Sequence, residues 1–553
     1  METKRQKIER MRSALRRERE SFVPHWRDLS DYVLPRRSRF TLAERNRGDR
    51  KNQKIIDSTA TLSARNLQAG MMSGLTSPAR PWFLLSTPDP ELAEFGPVKM
   101  WLDDVTRRLR TVFLKSNLYN ALPLLYGDEG VFGTAAMAVL EDDIDVIRCH
   151  TFPIGQYCLS QNSRLSVDTF MREYSMSVRQ LVQQFGKDKV TGRTRGLYEN
   201  GNYEEWIDVA HLVMPNEDYN GGKALAKFKK FASVYWEVGA DENEGMLSES
   251  GFDEFPIMAP RWSITGEDVY GTSPGMDALG DIKQLQAMQR RMIQAIDKMV
   301  NPPMTAPMSL RGQKASLLPG DITYVDGQQG QATFKPTHEV RIPLQELQML
   351  IGETSQRVRR CFYEDLFLML ANSDRRQITA REIDERHEEK LLMLGPVLER
   401  QNEDLLDPLI DRTFAVMLRK GLIPPPPPEI EGTDLKVEYV SIMAQAQKLV
   451  ATAGVERFVG FAGNLAAAYP EILDKVDMDQ VIDEYGDMLG VPSKIVRPDE
   501  MVTAIRQQRA DAARQQQQGE NLMRAAQGAK TLSEADTSRE SVLSKIMQQQ
   551  GIR

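Results

Sequence analysis

Three cysteines in 553 residues cannot build a disulfide framework. Cys149 and Cys158 stand nine positions apart and Cys361 is remote, so no C-x-x-C pair offers zinc or redox chemistry. This scarcity predicts a chain that matures in a reducing compartment. Long apolar runs are missing too. The densest, Leu366 to Leu370, falls far short of the roughly 18–20 residues that span a bilayer, so no membrane partner is expected. Residues 1–20 crowd Arg, Lys and Glu where a signal peptide would carry its apolar stretch. No G-x-x-x-x-G-K-[ST] and no G-x-G-x-x-G occurs, which excludes a P-loop motor and a dinucleotide enzyme. No internal repeat recurs at a fixed period.

Apolar residues make up 41% of the chain and charged residues 27%, close to a globular average, so a mostly disordered protein is excluded. The length allows about three to five compact units, with cores that need no staples. The net charge of -7 is unevenly spread. Residues 1–54 hold 17 basic against 8 acidic side chains, a balance of +9, which leaves -16 for the remainder. A basic arm on an acidic body hints at an electrostatic partner. The acidic body argues against wrapping nucleic acid, because phosphate binding needs neutralisation, but not against letting it slide past.

Spacing of apolar residues predicts helices over 5–32, 54–76, 98–116 and 118–129, with a short buried strand at Trp82–Leu85. Between Ala135 and Trp262 short β-rich runs follow: Ala136–Leu140, Val146–Cys149, Gln156–Leu159, Val167–Tyr174, Trp206–Val213 and Ser233–Glu237. One helix, Ser177–Phe185, interrupts them. The pattern is an α+β body with mainly antiparallel pairing. A long helix starts at Ser273-Pro274 and carries Met276, Leu279, Ile282, Leu285, Met288, Met292, Ile296 and Met299 on one stripe up to Val300. Residues 301–338 are rich in Pro and Gly, with short β pieces at Asp321–Val325 and Ala332–Phe334. A second long helix is expected over Leu344–Leu370, a polar break at 371–377, and a third over Thr379–Lys420, about 60 Å long and bent at Gly395-Pro396 and Asp407-Pro408. Pro424–Pro428 stops it as a stiff spacer. Residues 441–510 read as helical, and 506–550 as a Gln-rich frayed helix and tail.

Two constellations resemble catalytic chemistry and fail on physics. Gly271-Thr272-Ser273-Pro274-Gly275 fits the spacing of a nucleophile elbow, yet Pro274 lacks the N–H that such an elbow uses as an oxyanion donor. Ser273 is better read as a helix cap. Asp384, His387 and Glu388 place a carboxylate and an imidazole on one helical face, but a di-iron bundle needs two such pairs and two further Glu. The rivals are therefore a hydrolase using Ser273, a metal-dependent enzyme using His387, or a non-viral helical scaffold. The stripe from Met276 to Met304 reads as packing, within the chain or between subunits. Arg357, Arg359, Arg360, Arg375 and Arg376 read as a solvated surface or, more sharply, as a face that meets phosphate backbones.

The architecture is more informative. Two long helices flank a compact insertion, and such a stalk cannot bury both apolar stripes within one chain. It needs lateral neighbours, and cyclic assembly closes the problem. The chain here resembles the head-to-tail connector (portal) family of short-tailed bacteriophages over roughly residues 10–430. The likeness is carried by Phe22-Val23-Pro24-His25-Trp26 through Leu34-Pro35, and by Asp57-Ser58-Thr59-Ala60 through Met71-Met72-Ser73-Gly74-Leu75-Thr76 to Trp82-Phe83-Leu84. Phe132-Gly133-Thr134-Ala135 continues it, as do Pro260-Arg261-Trp262, Tyr270 to Pro274, Asn301-Pro302-Pro303, Ile378 to Ile383 and Leu394-Gly395-Pro396.

The resemblance implies a mainly α fold with an α+β body: wing, two-helix stem, small α/β clip, helical crown and a barrel helix or disordered tail, assembled as a dodecameric ring. It divides the chain into arm and wing (1–270), stem helix 1 (271–300), clip (301–340), stem helix 2 (341–370), tunnel loop (371–378), wing and crown helix (379–430), crown (431–505) and barrel or tail (506–553). It implies a non-enzymatic conduit without cofactor, at one capsid vertex, through which double-stranded DNA passes without sequence reading. The implied partners are the terminase large subunit, tail adaptor proteins, scaffold and major capsid protein, with assembly in the host cytoplasm. Channel candidates are Asn372, Arg375, Arg376, Lys283, Arg290, Arg291 and Lys298. Docking candidates on the clip are Arg311, Lys314, Asp321 and Asp326. Twelve upright helices about 10 Å apart close around a bore of about 29 Å, wide enough for a hydrated duplex.

Overall fold

In the computed structural model, the described residues are 3–41, 48, 50–223, 225–241, 246–300, 304–305, 335–336, 343–373, 394–441, 458–466, 469, 475–489 and 499–534. They fall into two compact units. The first comprises Met1–Ser86, Leu102–Pro425 and Leu435–Phe458; the second comprises Thr87–Trp101, Pro426–Asp434 and Val459–Arg553.

The first unit opens with α1 (Lys4–Glu20) and α2 (Val23–Tyr32), where the sequence predicted one helix. Pro24 at the start of α2 lacks the N–H that a continuous helix would need there. Thr3 and Gln6 start α1 by exchanging side chain to backbone bonds of 3.0 and 3.2 Å. Then come, in chain order, α3 (Thr59–Leu75), β1 (Phe83–Ser86), α4 (Pro90–Glu94) of the second unit, α5 (Gly96–Lys115), whose residues up to Trp101 are counted with the second unit, and α6 (Leu118–Phe132). The body follows: β2 (Ala136–Asp142), β3 (Val146–Phe152), β4 (Tyr157–Gln161), β5 (Val167–Ser177), α7 (Val178–Phe185), α8 (Gly192–Glu199), β6 (Trp206–Pro215), β7 (Phe231–Glu237), β8 (Ser248–Phe252) and β9 (Ile257–Met258). Strands β4-β5-β6-β7-β8 form an antiparallel meander, and β3-β2-β9 a smaller antiparallel sheet. The expected α+β body is present, with α8, β8 and β9 as additions.

The basic arm finds its partner inside the chain. Ile8 and Leu15 of α1 are buried against Cys158, Met171, Ala210, Leu212, Val234 and Trp236 of the five-stranded sheet. Around them Lys4 pairs with Glu249 at 2.7 Å, Lys7 with Glu217 at 2.5 Å, and Arg12 with Glu173. The two lysine pairs are exposed and contribute about 0–1 kcal/mol each, while the Arg12–Glu173 pair is largely buried. Each buried aliphatic side chain contributes about 1.5–3 kcal/mol, so packing dominates and the charges set orientation.

The long helices are α9 (Pro274–Val300), α10 (Leu344–Cys361) and α11 (Glu364–Ser373), with β10 (Met304–Thr305) and β11 (Lys335–Pro336) paired antiparallel between them. The second stem helix expected over 341–370 is therefore broken. Phe362 is buried and Tyr363 takes a positive φ of 54°. The cause is tertiary: Glu364 accepts from Ser63 at 2.8 Å and from Asn66 at 2.9 Å, docking α11 onto α3. Residues 371–373, assigned to the loop, still belong to α11. The β pieces at 321–325 and 332–334 and the start of the third long helix lie outside the described residues.

That third helix is described from 394, widens into a π turn over Asn402–Leu406 just before Asp407-Pro408, and ends at Arg419. The region 431–505 is not purely helical: β12 (Lys436–Tyr439) pairs with β1, Phe83 opposite Tyr439. In the second unit, Asp499–Glu534 forms one 36-residue helix, starting before the boundary expected at 506. Arg506 holds Asp479 of the helix Met478–Leu489 at 2.7 Å.

α6 ends at Gly133, whose φ of 80° suits a glycine. A Cβ there would sit 2.1 Å from the Gly271 carbonyl oxygen. Gly133→Ala should lower stability by at least about 2 kcal/mol, measured as a shift of the urea midpoint of the purified chain.

Candidate functional site

The site is the pair of long helices and the joint that roots them. Ser273 caps α9: its Oγ accepts from Met276 N at 3.1 Å and donates to Val131 O at 2.7 Å. The hydroxyl is thus buried in a structural role, as the capping reading requires, and Gly275 lies so close to Val131 that a Cβ would sit 2.6 Å from its carbonyl oxygen. The start of α9 is therefore fused to the end of α6. About three turns further along α9, buried Gln286 accepts from Ile56 N (2.7 Å) and Asp57 N (2.8 Å) and donates to Asp57 O (2.8 Å). These bonds engage the backbone of residues 56–57 with α9, and α3 begins at Thr59 and not at 54.

Beyond the joint, α9 and α10 run antiparallel. Asp281 grips Arg357 with two bonds of 2.9 and 3.1 Å. Leu285 and Met288 meet Ile351, with Met292 and Leu347 packed beside them. The two stripes therefore meet between Leu285 and Met292 of α9 and between Leu347 and Ile351 of α10. Ile293, Ile296, Met299 and Val300 on α9, with Met349 and Leu350 on α10, remain 41–79% exposed. Lone exposed apolar residues need no explanation, but Ile293, Ile296 and Val300 recur at helical spacing on one face of α9.

Buried charges brace the body under this pair. Arg261 donates to Asp404 (3.0 and 3.2 Å), Gln161 (3.0 Å) and the Leu165 carbonyl (2.9 Å). Arg412 donates to Val139 O (2.7 Å) and to the backbone and carboxylate of Glu254 (3.0 and 3.2 Å). Asp128, paired with Arg37, is pushed up to about 6 by burial. Periodicity gives no warning of such residues, since a charge is ordinarily solvated.

A sequence profile for the bacteriophage head to tail connecting protein matches residues 5–496. The chain belongs to this family of bacteriophage head-to-tail connecting proteins. The portal protein of Salmonella phage epsilon15 is 51% identical over 546 residues, covering 99% of this chain and 98% of that one. The probable portal protein of Bordetella phage BPP-1 is 45% identical over 532 residues, 96% of each chain. A chain of the virion of a native gene transfer agent particle is a remote likeness that decides nothing (TM-score 0.33, 11% identity, 77% of this chain and 94% of that chain). The connector family is structural, not enzymatic.

In this connector chain Lys283 is held by Asp28 at 2.6 Å. Arg290, Arg291 and Lys298 are exposed on α9 and make no ion pair among the described residues. Asn372 lies in the last turn of α11. Arg375, Arg376, Arg311, Lys314, Asp321, Asp326 and His387 lie outside the described residues. Among the described residues no three His, Cys, Asp or Glu cluster as a metal site would require, and no helix is long and apolar enough to cross a membrane.

Proposed function

We propose that the chain is the subunit of a phage portal, a ring at one capsid vertex through which double-stranded DNA enters and leaves the head. The observation that carries this reading is the 51% identity with a portal protein across 99% of the chain. The exposed stripe on α9 and α10 supports it physically, since a second copy of the same pair would cover it. Twelve copies give the bore estimated above. The ring nucleates assembly with scaffold and major capsid protein, docks the terminase large subunit on its clip (301–340), and later receives tail adaptor proteins there. Arg311, Lys314, Asp321 and Asp326 are the docking charges. In the virion, Arg290, Arg291, Lys298 and Lys283 share the channel wall with Asp281 and Asp297. That mixture lets a duplex pass without gripping it, because each bound phosphate slows translocation.

Electron micrographs of the purified chain test the ring directly. Rings with a hole of duplex width are expected, and compact monomers under every assembly condition would sink the reading. On this reading Asn372, in the last turn of α11, and Arg375 and Arg376 just beyond it in sequence come closest to the DNA. Arg375→Glu with Arg376→Glu should leave rings intact while cutting packaged or retained genomes at least about tenfold, counted as DNA-filled heads. Unchanged filling removes these residues from the channel.

A further inference from the structure

Glu129, in the last turn of α6, is fully buried. It receives one side-chain hydrogen bond, from Nε2 of Gln401, itself fully buried in the helix 394–401. Glu129 Oε2 and Gln401 Oε1 both lack a partner. Its charged neighbours offer no help. Asp404, on the π turn, is negative, and Arg261 is already committed to it. Arg37 is committed to Asp128, the preceding residue on α6. Tyr126, one turn back, donates or accepts with Thr76 and carries no positive charge. An ionised carboxylate here would be a buried charge with a single donor and no cation, which costs several kcal/mol. Two orphaned acceptors on facing side chains are the mark of a missing proton between them.

We propose that Glu129 is held as a neutral carboxylic acid that donates from Oε2 to Gln401 Oε1 while Gln401 Nε2 donates to Oε1, and that loss of this proton unclamps the helix 394–401 from α6. The closed pair satisfies every polar atom of both side chains that otherwise stands alone. Ionisation breaks one bond and leaves two buried oxygens facing each other. The pair sits two residues from Val131, the residue into which Ser273 and Gly275 root α9. A proton thus tunes how firmly the base of the paired helices is held.

Burial pushes the Glu129 carboxyl up to about 8, against 4.5 in the unfolded chain. Folding therefore takes up a proton between those values. The stabilisation is complete below the lower one and is lost as pH rises through the upper one. Glu129→Gln supplies the test, because a carboxamide facing Gln401 makes the same two bonds and never ionises. In the purified chain, the ratio of wild-type to variant unfolding constants should climb about a hundredfold from about pH 6 to a plateau above about pH 9. Parallel pH curves for the two proteins overturn the proposal. If the variant does not fold, infrared spectra of the wild type decide. A protonated carboxyl stretch at about pH 7 that disappears by about pH 9.5 supports the pair, and its absence at about pH 7 overturns it.

Discussion

Replacing Arg261 by Ala should destabilise the chain by about 3–5 kcal/mol, the cost of stripping the partner from a buried charge. Arg261 is 2% exposed and its carboxylate partner Asp404 13% exposed, so water cannot replace the lost bonds. Three separate elements lose their tie at once. Asp404 belongs to the π turn, Gln161 ends β4, and Leu165 holds a positive φ of 61° in the β4–β5 turn. That strained turn is otherwise fixed by Asn162, whose side chain accepts from Arg164 N at 2.8 Å and Ser166 N at 3.2 Å. Arg261→Lys should recover only part of the loss, because an ammonium cannot reproduce the two-pronged grip on Asp404. The Arg261→Ala/Asp404→Ala double variant should be less destabilised than the sum of its singles, since removing both charges leaves no orphan. Urea midpoints of the four proteins measure this. A single variant within about 1 kcal/mol of wild type would show that Asp404 is solvated after all.

What the sequence revealed and what it hid divide along the range of the interactions. The start of α9 was legible because Ser273 and Pro274 carry a local signal, and its stripe has helical spacing. The body strands were legible because each alternates or clusters its apolar residues. The break at Phe362-Tyr363 was hidden: neither residue is a helix breaker, and α3 imposes the turn from nearly 300 positions away through Glu364. The pairing of β12 with β1 was hidden for the same reason. Lys436 to Tyr439 does alternate polar and apolar residues, but a stretch of four after a proline run reads as a connection until its partner at Phe83–Ser86 is known. The basic arm was seen as a charge imbalance, yet its partners on β5 and β8 could be named only once the sheet was in place. At the site, the helices that carry the stripe were predicted, while Gln286, Arg261, Glu129 and Gln401, which hold their base, were not. Each is a polar side chain whose value depends on complete burial, and burial is a property of the fold.

Ile293→Asp with Ile296→Asp should abolish ring formation while leaving a folded chain. Both side chains are about half exposed in the single subunit, 56% and 41%, so their removal opens no cavity and strands no buried partner. On the proposed ring reading, the same positions are the ones a neighbouring copy would cover. Covering an aliphatic side chain contributes about 1.5–3 kcal/mol, and an aspartate in its place both forfeits that term and brings an unpaired charge into the contact. Because the contact repeats at every subunit boundary, the loss multiplies around the ring, and assembly should fall from complete to undetectable. Two controls separate this from general damage. Leu285→Asp, inside the root where α9 meets Ile351, should unfold the pair instead of merely preventing assembly. Leu225→Asp, 62% exposed on the β6–β7 connection, should leave rings intact. Light scattering after size-exclusion chromatography, with far-UV circular dichroism to confirm folding, reads all three. Rings persisting in the double aspartate variant would mean that the stripe on α9 faces something other than a second copy of the chain.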